Sequence, residues 1–130
     1  MENEFLKTLQ KNPVRHTNDD SLQVIDRFCQ SIQDYTYGKV LCWRERGFAT
    51  SFGQEWRVTV KPSADGYQQI LFRAYVPLDG YPVQLDLYAE EMKNCSNKSA
   101  LQKELNIFLQ QRAVQETIDY LSDGKNAAVK

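Results

Sequence analysis

One histidine, three cysteines and a scattering of carboxylates are all that this 130-residue chain offers for acid–base, nucleophilic or metal chemistry. His16 lies in a polar stretch beside Arg15, and a single histidine cannot supply a multi-histidine metal site. Cys29, Cys42 and Cys95 are an odd number without Cys-x-x-Cys spacing, which indicates neither a disulfide framework nor a thiolate zinc site. Cys29 and Cys42 fall on apolar faces, where a thiol behaves as a small hydrophobe. Cys95, in KNCSNKS, reads as the most exposed of the three, but nothing sets His16 beside it as a base. Asp86 and Glu90 would share a face if a strand ran through them, and they read more simply as charges that solubilise an edge or pair with Arg73. The chain has no Gly-rich phosphate loop, Walker lysine, dinucleotide fingerprint or Gly-x-Ser-x-Gly elbow. No cofactor and no metal is therefore expected, and binding outranks catalysis.

The stretch RERGFATSF, residues 44–52, offers a different chemistry. Arg46, Gly47, Phe48 and Ala49 match the first half of the octapeptide with which RNA-recognition motifs stack bases on a sheet. Thr50, Ser51 and Gly53 depart from it, removing a stacking aromatic, a core residue and the final aromatic. That fold also intersperses its strands with helices, whereas here the strand-like segments run together. With 16 basic and 17 acidic residues the formal charge is −1, so no overall field draws in phosphate backbones or anionic lipid. Neither nucleic acid nor membrane is expected as a partner. The simpler reading is that Gly47 and Gly53 bracket a hairpin connection, with Phe48 and Phe52 folded under its edge.

The elements that would position these groups follow from periodicity. Phe5, Leu6 and Leu9 have helical spacing before Pro13 and suit a short helix or a loose arm. Asp20 and Gln23 resemble a capping box, after which Leu22, Ile25, Phe28, Cys29 and Ile32 share one helical face until Gly38 stops it. From Lys39 the period changes to two. Trp56, Val58 and Val60, then Ile70, Phe72, Ala74 and Val76, then Val83, Leu85 and Leu87 alternate with polar or mixed residues, and Lys39 to Arg46 is rich in strand formers. Two Asp-Gly-Tyr triplets, at 65–67 and 79–81, mark turns at opposite ends of a sheet. Tyr81, between Pro77 and Pro82 on the stiffer loop, is expected to be displayed. Ser99 and Gln102 suggest a second capping box. The stripe Leu101, Leu105 and Phe108 is out of phase with Val114, Ile118 and Leu121, which places a break near Gln111-Arg112.

Connections this short favour antiparallel pairing. The expected fold is α+β: an antiparallel β-meander of about four strands, with an N-terminal helix and two C-terminal helices packed on one face. Residues 1–122 form one domain in this reading, and 123–130 a flexible tail. The acidic start Met1-Glu2-Asn3-Glu4, the absence of a long apolar run and the cysteine pattern point to a cytoplasmic protein.

The strand registers then put Leu41, Trp43, Arg57, Thr59, Leu71, Arg73, Tyr75, Asp86 and Tyr88 on the face away from the core. Trp, Tyr and Arg are the side chains that dominate protein interfaces. Trp43, Arg57, Arg73, Tyr75 and Tyr88, with Tyr81 or the Phe48 to Phe52 connection at the rim, are accordingly the expected contact residues for a protein partner or a homodimer. The alternative is a small-molecule binder that holds an apolar ligand between sheet and helices.

Overall fold

The computed structural model describes residues 19–64, 66–88 and 91–123. The segment around Phe5 to Leu9, His16, Asp65, Glu90 and the tail from 124 lie outside them.

Helix α1, Asp19–Tyr35, buries Val24, Ile25, Phe28, Cys29 and Ile32, a stripe at three- and four-residue spacing. It stops where Tyr37 (φ 53°) and Gly38 (φ 78°) turn left-handed and the Gly38 N–H closes onto the Gln33 carbonyl at 2.8 Å. Thr36 then aims the chain into the sheet: its hydroxyl donates to the Ile32 carbonyl at 2.9 Å and accepts from the Val40 N–H at 3.1 Å.

Five strands follow, β1 (Val40–Thr50), β2 (Gly53–Pro62), β3 (Gln69–Val76), β4 (Val83–Asp86) and β5 (Lys93–Cys95), paired in chain order and all antiparallel. The meander therefore has one strand more than the sequence suggested. β5 is only three residues long and sits among Asn, Ser and Lys, so it carries no alternation to read. It also corrects the reading of Cys95, which pairs with Val83 and is fully buried rather than exposed in a loop.

One sheet face, carrying Val58, Val60, Phe72, Ala74, Val76, Val83 and Leu85, forms the core. Helix α2, Lys98–Gln110, adds Leu101, Leu105 and Phe108, and α3, Arg112–Ser122, adds Val114, Ile118 and Leu121. Phe28, Phe72 and Phe108 join α1, β3 and α2: Phe72 meets Phe28 and Phe108 edge-on, at 5.3 and 5.4 Å between ring centroids, and Phe28 and Phe108 lie tilted at 6.3 Å. Gln111, with φ −68° and ψ 135°, makes the break between the two stripes. The cap of α2 is Asn97, whose Oδ1 accepts the Ala100 N–H at 2.8 Å, and not Ser99, because the helix starts one residue before that serine.

Candidate interaction site

The face opposite the core is organised by a bulge. Between Arg46↔Trp56 and Ala49↔Gln54, β1 has two residues, Gly47 and Phe48, where β2 has only Glu55. The bulge takes backbone groups out of the ladder, and β2 side chains satisfy them. Glu55 Oε1 accepts the Phe48 N–H at 3.0 Å, while the Gln54 amide donates to the Gly47 and Glu55 carbonyls, each at 3.0 Å. A Cβ at Gly47 would run into the Glu55 carboxylate, so the glycine is required by close approach. The sequence reading placed Gly47 in the hairpin connection. The turn is in fact Ser51-Phe52, closed by Thr50, whose hydroxyl donates to the Gly53 carbonyl at 2.8 Å.

Glu55 also resolves an electrostatic problem. Glu45, Arg57, Arg73 and Asp86 stand directly opposite one another across β1 to β4, which sets two guanidinium-bearing residues side by side. Arg57 Nη2 reaches Glu55 Oε1 at 3.3 Å, and Arg73 Nε lies 2.9 Å from Oε2. The Arg73 contact is one of charge rather than an aligned hydrogen bond, since both arginine Nε atoms are shielded without an aligned acceptor. The Glu55 side chain is only 9% exposed, covered by its neighbours. The hydrogen bond from Phe48 is the largest influence holding its carboxyl below the usual carboxylate range; with Arg57 and Arg73 it outweighs the opposing effect of burial.

Around this cluster stand aromatic rings. Arg57 lies over Phe48 and Arg73 over Tyr88, each 5.4 Å from the ring centroid, and Phe52 meets Tyr75 at 6.0 Å. Phe48 is 73%, Phe52 55% and Tyr88 50% exposed. These phenylalanines do not fold under the edge as expected, because the bulge turns Phe48 out over Arg57 and Phe52 occupies the turn itself. Tyr88 sits at φ 68°, an unusual backbone for a bulky residue, with its N–H on Asp86 Oδ1 at 3.0 Å. Burial is the leading cause that raises both the Tyr75 and Tyr88 phenols, which leaves them as hydrogen-bonding groups rather than neutral-pH acids or bases.

Of the residues expected from sequence, Arg57, Arg73, Tyr75 and Tyr88 come together here. Trp43 shares the face, opposite Thr59 on the edge strand, half-buried and apart from the ring cluster. Tyr81 is elsewhere: it packs half-buried against the core with its hydroxyl shielded, and burial, then Asp20, pushes that phenol up to about 12. Leu71 is buried, displaced by a second bulge between Val58↔Phe72 and Thr59↔Ile70. Glu55 and Gly47 were missed as site residues, whereas the Phe48 to Phe52 connection was read only as a possible rim of the face. The one available signal was an acid, Glu55, two residues before Arg57 and so on the same mixed face of β2.

Phe28, Phe72 and Phe108 pack together between sheet and helices. Open clefts lie around this packing, one of about 320 Å³ among the helices, around Ile32, Tyr35, Leu109 and Ile118, and another between α1 and β1. Among the described residues no group of three or more His, Cys, Asp or Glu is placed to hold a metal, and no helix is long and apolar enough to cross a membrane. No family model matches the chain, and neither a curated protein nor a solved structure matches it.

Proposed function

We propose that this protein acts by binding another protein, or a second copy of itself, through the outer sheet face, with Phe48, Phe52, Arg57, Arg73, Tyr75 and Tyr88 as its contact set. The observation that carries the reading is the exposure of Phe48, Phe52 and Tyr88 together on one face, two of them backed by guanidinium groups. Single exposed rings are ordinary on protein surfaces, but a cluster of rings and arginines is the composition of an interface centre. Trp43 stands at the margin, and Tyr81 drops out of the contact set. Three free thiols suit a reducing compartment, the cytoplasm. The mixed charge row and the formal charge of −1 favour protein over nucleic acid.

Arg73 is a poor residue to remove as a test, because it holds Glu55. Combined Phe48→Ser, Phe52→Ser and Tyr88→Asn replacements leave the ion cluster alone. Sedimentation of the full chain across concentrations, with affinity capture from its native host, should show association lost in this variant. A control with Tyr35→Ser and Tyr120→Ser, two exposed tyrosines on the helices, should retain it. Equal association in both variants, or none in the unaltered protein, would overturn the proposal.

A further inference from the structure

Cys29 and Cys42 face one another across the junction of α1 and β1. Their spacing is fixed from both sides by unrelated bonds. Toward the N-terminus of α1, Asp26 holds Arg44 of β1 through two hydrogen bonds, 2.7 and 3.2 Å, and one turn after Cys29 the Gln33 Oε1 accepts the Cys42 N–H at 3.0 Å. Asp26, Cys29 and Gln33 follow one helical face, while Cys42 and Arg44 alternate on the strand, so the two ladders bring the thiols to the same level. Both residues are nearly shielded, 5% and 4% exposed, yet both line one open cleft of about 450 Å³ with Asp26, Gln30, Trp43 and Arg44.

We infer that Cys29 and Cys42 form a two-sulfur site for a soft monovalent d10 cation, Cu(I), entering through that cleft. Thiolate is the ligand such ions prefer, and two sulfurs suffice for their linear coordination. Zinc would want four ligands, but among the described residues no group of three or more His, Cys, Asp or Glu is placed to hold a metal, and the one acid on this cleft, Asp26, has both oxygens bonded to Arg44. Binding is balanced as one Cu(I) displacing two thiol protons to give a singly negative bis-thiolate, with the Arg44 guanidinium and the Asp26 carboxylate on the same cleft wall. Affinity should therefore climb as pH rises. Cys95, buried in β5, is a built-in control, its thiol pushed up to about 11 chiefly by burial.

The test is an anaerobic titration of the full chain with Cu(I) supplied from a chromophoric chelator, followed by chelator colour and by proton release in weak buffer. The expected result is one ion taken per chain with two protons released, lost in Cys29→Ser, Cys42→Ser and Cys42→Ala, and kept in Cys95→Ser. Thermal melts confirm that each variant is folded. Uptake that survives loss of Cys42, uptake that vanishes equally with Cys95, or no withdrawal of Cu(I) from the chelator by the unaltered protein would overturn the assignment.

Discussion

Glu55 is the residue on which the outer face depends, because one carboxylate ends the backbone of a bulge and separates two arginines. Its folded carboxyl sits below the unfolded value, so its contribution to stability is present above the ordinary glutamate range, about 4.3, and is lost as pH falls through the lower folded value. Glu55→Gln keeps the shape and an acceptor for Phe48 but removes the charge. It should lower stability at neutral pH by about 1–3 kcal/mol, and urea midpoints of variant and parent should converge as the pH falls below the ordinary glutamate range and through the lower folded value. Gly47→Ala attacks the same contact from β1. The carboxylate is pinned by three partners and cannot yield freely, so a loss of about 1–3 kcal/mol is expected by the same assay. At Tyr88 the effects separate. Replacement by Asn tolerates the left-handed backbone better, so Tyr88→Asn should leave the thermal midpoint equal or higher while weakening association.

At the scale of elements, the sequence was informative where a stripe or an alternation could be counted. The phase slip between Phe108 and Val114 located the break that Gln111 makes, and the stripe from Ile25 to Ile32 with Gly38 located α1. β5 and the two bulges were not legible, because register is a relation between strands and three residues have no period. The same gap explains the site. Alternation put Arg57, Arg73, Tyr75 and Tyr88 on one face, but only the bulge at Gly47 and Phe48 shows why Glu55 lies under them and why the phenylalanines face outward. Capping was half-read, since the motif was anchored on Ser99 when the accepting side chain is Asn97. Asn97→Ala should therefore cost about 1 kcal/mol in the thermal or urea midpoint, and Ser99→Ala much less.

The whole molecule divides its labour between two sheet faces. Among the described residues, one is closed by three helices around a phenylalanine triad, and the other carries rings and guanidinium groups around a neutralised centre. The edge strand β1 is long enough to invite pairing, yet it is blunted by the Arg44-Glu45-Arg46 charges, the bulge, and the Gln33 side chain bonded to the Cys42 N–H. Association should therefore run through the outer face and not through sheet extension. The most direct test is to place a photo-crosslinking phenylalanine analogue at position 48, with a matched one at position 120 on α3, and irradiate cells that produce the full chain. A discrete adduct from position 48, to one partner or to a second copy, that is absent from position 120 is the predicted result. No adduct from position 48, or the same products from both positions, would contradict a binding role for this face.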